Sequence, residues 1–213
     1  MRRNGFQLWQ WNRNGGEPIA VGMVIVGVDE AGRGPLAGPV SVGVVAVSEG
    51  YDILAHFPGL NDSKKLSEKK RDLLFKTLQQ EMKAGKVKAV VCLSSARMID
   101  DKGIAYAVRH ALDRGVRKLL PNPEEGKVWL DGSLKAPSEY DQETVIGGDG
   151  LVPAIMLASI AAKVTRDQLM LKIDATHPLY GFKSHKGYGT KAHMEAIREH
   201  GMCEEHRRTF IHI

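Results

Sequence analysis

The sequence predicts an α/β protein built on a mixed sheet flanked by helices, and three observations carry that reading. Two β-branched runs, "MVIVGVDEAG" and "PVSVGVVAV", follow each other closely enough to be antiparallel neighbours. Strand-like and helical patterns then alternate along the chain. A long apolar helix is expected over about residues 153–173, with Pro153 suited to its first turn. An antiparallel pair followed by strand–helix alternation describes a mixed sheet, since an all-parallel one would need a crossover after its first strand.

The elements follow in order. Residues 1–22 read as an extension, with Trp9 and Trp11 among polar residues and a break at "NGGEP"; the tryptophans are expected to cover part of the core. Residues 23–213 then form one domain. After the first two strands comes "GLNDSKKLSEKKRDLLFKTLQQEMKAGK", where Ser67 is a candidate N-cap and Leu73, Leu74, Leu78 and Met82 make an apolar stripe. "VKAVVCLSS" reads as a buried strand. "IDDKGIAYAVRHALDRGV" reads as one helix, with Ile104, Ala107, Ala111 and Leu112 on a shared side. "KVWLDGS" and "ETVIGGD" are two further strand candidates. After the long helix the chain ends in a Gly-rich loop, one short helix and a polar tail.

Composition narrows the function. The chain has 213 residues, 43% hydrophobic and 26% charged, which suits one substantial globular domain. A net charge of +5 favours a polyanionic partner without requiring one. The two cysteines, Cys92 and Cys203, have no C-x-x-C partner, so neither a disulfide framework nor a cysteine zinc site is expected. No run approaches the roughly 18 apolar residues of a membrane span, and the N-terminus lacks a signal-peptide core. A cytoplasmic protein without a membrane partner is the expectation.

The chemistry concentrates at strand ends. Asp29 and Glu30 follow "VIVGV", Asp131 follows "KVWL", and Asp149 follows "VIGG". A carboxylate beside a buried strand is costly unless it is paired, hydrogen-bonded or bound to metal. Read singly, Asp131 is a turn residue before Gly132 and Asp149 a cap for the next helix. Read together, strand ends in one sheet bring these acids to one place, and a divalent cation relieves their repulsion. Oxygen ligands select hard ions, Mg²⁺ or Mn²⁺. Two such ions suit phosphodiester hydrolysis. The glycines of "GRGPLAG" suggest a dinucleotide fingerprint, but the spacing is off by one and a strand follows where the phosphate-binding helix is required.

The segments "DEAGRGPLAGPV", "LNDSKKLSEKKR", "LDGS", "GGDG…ASIAAKVTRD" and "YGFKSHKGYGT…EHRRTF" resemble bacterial ribonuclease HII, in order, from about Val24 to Phe210. The resemblance implies a ribonuclease H-like fold with a five-stranded type of sheet and a C-terminal helical segment. It also implies metal-dependent hydrolysis of the RNA strand of RNA–DNA hybrids, and incision 5′ of single ribonucleotides in DNA. Asp29, Glu30, Asp131 and Asp149 fall on the family's metal-binding catalytic set. Gly32, Arg33 and Gly34 fall on the loop that reads the 2′-hydroxyl, the group that separates RNA from DNA. Tyr188 falls on the tyrosine that stacks at the RNA–DNA junction. Lys64, Ser159 and Lys163 are expected phosphate contacts; Asp62 is expected to cap its own loop. Arg166 and Asp167 read equally well as a structural pair, and His206, Arg207 and Arg208 match the family's end segment without an assignable role. The third acid is Asp131 and the loop reads GRG, which favours HII over the sister HIII type. A monomer is expected, and the competing reading is a hybrid-binding module without catalysis.

Overall fold

The computed structural model describes residues 23–212. The expectations for residues 1–22, Trp9 and Trp11 included, lie outside the described residues. β1 (Val24–Ala31) and β2 (Val40–Ser48) pair antiparallel, with Val28 opposite Val44 and Asp29 opposite Gly43. β3 (Val87–Ser94) adds antiparallel to β2, while β4 (Gly126–Asp131) lies parallel to β1 and β5 (Asp141–Val145) parallel to β4. The order β3-β2-β1-β4-β5 makes the expected mixed five-stranded sheet.

Side chains alternate across a strand, so each face collects its own core. Val26, Val28, Val42, Val44, Val128 and Leu130 point to the face covered by α4 (Ile104–Leu119), against Ala107, Ala111 and Leu112. Val45, Val47 and Val87 point to the other face, beneath α5 (Pro153–Thr176). There α1 (Ile53–His56) and α2 (Glu68–Lys83) pack beside α5 through Ile53, Leu74 and Leu78. Ser67 caps α2 as expected, its hydroxyl accepting the Lys70 N–H at 3.3 Å. Leu73, expected in the apolar stripe, is exposed instead. Leu74 and Leu78 are four residues apart and already meet the core, and Leu73 is rotated away from them by the helical period.

The single helix expected over residues 99–116 is two. α3 (Ala96–Lys102) stops at Gly103, whose φ of +83° lies in the left-handed region, and α4 starts immediately after it. β5 is also shorter than its apolar pattern, ending at Val145. Gly147 then turns the chain with φ +69° into a 3-10 turn at Gly148–Gly150.

α5 lies close against the sheet because glycines receive it. A Cβ at Gly27 would sit 2.2 Å from the Ala154 carbonyl carbon, and one at Gly43 2.2 Å from the Ala158 oxygen. The Ser41 hydroxyl continues this seam by donating to the Ala162 carbonyl at 3.0 Å. The C-terminal segment carries α6 (Phe182–His185) and α7 (Lys191–His200), and it closes a third cluster with Ala37, Met170, Phe182 and Ile197. The expected polar tail is partly interior: His206 and Arg207 are buried. No helix among the described residues is long and apolar enough to cross a membrane.

Candidate active site

Three acids meet at one end of the sheet. Asp29 lies on β1, two residues beyond Gly27, and therefore on the α5 face of the sheet. Asp131 ends β4 on the same face, opposite in parity to buried Val128 and Leu130. Asp149 comes from the 3-10 turn between β5 and α5, and its N–H donates to Asp131 Oδ1 at 3.2 Å. Asp149 is thus not the cap of α5, whose N-cap is Val152. One carboxylate oxygen from each of Asp29, Asp131 and Asp149 lies within 4.8 Å of the other two. Asp29 and Asp149 are buried.

Burial pushes the Asp29 carboxyl up to about 8; the Ser159 hydroxyl opposes this with a hydrogen bond, while Glu30 and Asp131 add repulsion. The crowding is the physical sign of a cation site, because a positive ion removes the penalty that burial and like charge impose together. The donors are all oxygen, so the set fits a hard cation such as Mg²⁺ or Mn²⁺. Lys64 already supplies one positive charge: its Nζ donates to Asp149 Oδ2 at 2.9 Å. That hydrogen bond holds the lysine above its ordinary pKa.

Glu30 stands outside this group. As Asp29's neighbour it leaves the strand on the opposite face, and its Oε1 meets Arg33 Nη1 at 3.2 Å. Burial raises its pKa, Arg33 lowers it, and Asp131 is near enough to raise it again. Ser159, on α5, places its hydroxyl 2.8 Å from that of Ser63. Lys163 shares that helix but pairs with Asp167, 2.7 Å from its Oδ2, so the helix itself satisfies its charge. Arg166 and Asp167 are accordingly not a pair. Asp62 caps its loop as expected, accepting the Lys64 N–H at 2.8 Å.

The Gly-Arg-Gly loop begins where β1 ends. Gly32 has φ +87°, and a Cβ there would lie 2.1 Å from Arg166 Nε, so only glycine fits. Arg33 and Gly34 are exposed, and a Cβ on Gly34 would meet nothing within 4 Å, which leaves the loop open to a ligand. Tyr188 is 46% exposed on a neighbouring loop, which Gly187 ties to the first by accepting the Leu36 N–H at 2.8 Å. Sequence reasoning gave no role to His206 and Arg207, read Arg166 as half of a structural pair and did not name His193, the four groups beneath these loops. Each looks like ordinary helix or tail polarity until the tertiary fold buries it.

The ribonuclease HII family model matches residues 26–213. Curated ribonuclease HII proteins from Burkholderia thailandensis and Endomicrobium trichonymphae are each 44% identical to the chain. The first alignment covers 90% of this chain and 85% of the relative, the second 87% and 84%. Among solved structures, RNase HII in a PCNA complex from Archaeoglobus fulgidus aligns with TM-score 0.69 at 22% identity, over 90% of this chain and 96% of that one. Ribonuclease H2 from Pyrococcus horikoshii gives 0.66 at 24%, over 88% and 93%. Bst-RNase HIII in complex with Mn²⁺ gives 0.60 at 18%, over 87% and 67%. The sheet, the carboxylates at its end and these matches agree: the chain belongs to the ribonuclease HII family and is a metal-dependent endoribonuclease with ribonuclease H activity.

Proposed function

We propose that this enzyme hydrolyses the RNA strand of RNA–DNA hybrids and also incises duplex DNA on the 5′ side of a single embedded ribonucleotide, leaving 3′-hydroxyl and 5′-phosphate ends. The observation that carries the proposal is the convergence of Asp29, Asp131 and Asp149 beside a loop whose exposed end, Arg33 and Gly34, is open to a sugar.

Asp29, Asp131 and Asp149, joined by Glu30 once it leaves Arg33, would hold two divalent cations, Mg²⁺ or Mn²⁺. When bound, these supply charge stabilisation to the attacking and leaving oxygens. The protein's own groups do the rest. Ser159 orients the Asp29 carboxyl through its hydroxyl. Lys64, held at the cluster by Asp149, is placed to meet the phosphate, with Lys163 as a second contact once it leaves Asp167. The backbone of residues 32–34 faces the ribose and reads its 2′-hydroxyl. The Tyr188 ring stacks on the adjoining deoxyribose, the sequence-tolerant contact an aromatic offers. One chain supplies all of these groups, so a monomer suffices.

The test is a cleavage assay on a DNA duplex carrying one ribonucleotide, and on a continuous hybrid, with Mg²⁺ or Mn²⁺ against EDTA. Both substrates should be cut with metal and neither with EDTA. Tight binding without cleavage under either metal would instead establish a hybrid-binding module.

A further inference from the structure

Two buried arginines and a histidine pair lie under the substrate-facing loops, outside the groups used above. Arg166 and Arg207 are 1% and 0% exposed, and they donate to main-chain carbonyls rather than to carboxylates. Arg166 reaches Pro39 O at 2.9 Å, Ala37 O at 3.1 Å and Lys186 O at 2.9 Å. Arg207 reaches Gly38 O at 2.9 Å, Arg33 O at 2.8 Å and Gly32 O at 2.6 Å. A buried guanidinium without a carboxylate is costly. Burial and the neighbouring Arg166 push Arg207 down to about 9. The fold keeps two like charges here and uses them to grip two loops.

The residue next to Arg207 grips the second loop by another route. His206 Nδ1 accepts the Cys203 N–H at 2.9 Å, which leaves its Nε2–H to donate to His193 Nε2 at 3.1 Å. His193 then donates from Nδ1 to the Tyr188 carbonyl at 2.9 Å. These tautomers follow from the network, since the carbonyl only accepts and the amide only donates. The main chain completes the weave: the Arg207 N–H donates to Leu36 O, and the Gly38 N–H to Glu205 O, both at 2.8 Å.

We propose that Arg207 and His206 are positioning residues that lock the ribose-facing loop and the Tyr188 loop into one rigid reader, which senses the 2′-hydroxyl and the adjoining deoxyribose at a fixed separation. This rests on the roles given above to residues 32–34 and Tyr188. A single ribonucleotide in DNA requires both elements in register at once. A continuous hybrid offers a 2′-hydroxyl at every step and does not, so it tolerates a loosened reader better.

Arg207→Lys keeps the charge and loses the planar fork. His206→Asn keeps an acceptor for the Cys203 amide and loses the donation to His193. On the single-ribonucleotide duplex each variant should lose about 10²-fold in kcat/KM, mainly in kcat, the scale of a 1 Å misplacement. On the continuous hybrid the loss should stay below about tenfold. Combined with Tyr188→Ala, either variant should cost little more than the larger single effect, because all act through one unit. Equal losses on both substrates that track the fall in Tm, or full additivity with Tyr188→Ala, would overturn the lock. Should Arg207→Lys fail to fold, the substrate ratio of His206→Asn decides. Wild-type enzyme that leaves the single-ribonucleotide duplex uncut refutes the functional reading alone. The lock is then judged by amide hydrogen exchange: His206→Asn should speed residues 32–38 and 187–190 together, and faster exchange at 187–190 only would refute it.

Discussion

At Asp29 the alternation of a β-strand and the cost of burying charge act on the same side chain. Its place opposite Gly43 aims the carboxylate at the α5 face, where Asp131 and Asp149 arrive from separate elements. Asp29→Asn or Asp149→Asn should lower turnover by at least about 10²-fold while leaving Tm in EDTA unchanged or slightly higher, because a neutral isostere relieves the crowding. Calorimetric titration with Mn²⁺ should show the matching loss of binding, and near-normal rates in either variant would refute the ligand assignment. Tyr188→Ala tests a different contact. Losing the ring that packs on the deoxyribose should reduce single-ribonucleotide cleavage by about tenfold or more, each tenfold being about 1.4 kcal/mol, and leave general duplex binding nearly unchanged. Gel-shift titration beside the cleavage assay separates the two.

At the scale of elements, the site depends on how near α5 approaches the sheet. That helix carries Ser159 to Asp29 and Arg166 to Gly32, and Gly27 and Gly43 allow the approach. Gly43→Ala places a Cβ 2.2 Å from the Ala158 oxygen, so backbone must move. Overpacking of this kind costs about 1–3 kcal/mol, read as a lower urea midpoint at unchanged m. Activity should fall with it, since a displaced α5 withdraws Ser159 from the acids. An unchanged midpoint would show that the helix is free to shift.

For the whole molecule, acid tests how the C-terminal segment is anchored. Burial and the adjacent His193 hold His206 down to about 4, whereas an unfolded histidine titrates near 6.5. Between those values the unfolded chain binds a proton that the folded chain refuses. Stability is therefore full above about pH 6.5 and declines as pH falls toward 4. His193, also lowered by burial, acts in the same direction. Wild type should lose on the order of 2 kcal/mol more than His206→Asn between pH 7 and 4.5 in urea melts; parallel curves would place the histidine elsewhere. The net charge of +5 carries a second expectation, that duplex affinity falls linearly with log salt at a slope near −0.9 per phosphate contact.

Most of the fold is legible in the sequence because its signals are local. Strand alternation, the Ser67 cap and Pro153 at a helix start each depend on a few neighbouring residues. The acids were legible too, since charge at the end of an apolar strand is anomalous wherever it occurs. Less was legible where a residue's meaning comes from distant partners. Leu73 matched the stripe yet faces solvent, and Gly103 broke a helix that the apolar period runs straight through. Arg207 sits in a segment with no apolar pattern, and nothing nearby shows that its guanidinium meets carbonyls 174 and 175 residues away. Local pattern alone was enough to read the strands and to single out the acids and the glycine loop as candidates. Only the tertiary structure decided which acids share a pocket, that Glu30 turns to Arg33, and that the C-terminal segment holds the loops above it. Periodicity and charge are properties of neighbours in the chain, whereas burial and long-range hydrogen bonding exist only once the sheet has closed on its helices.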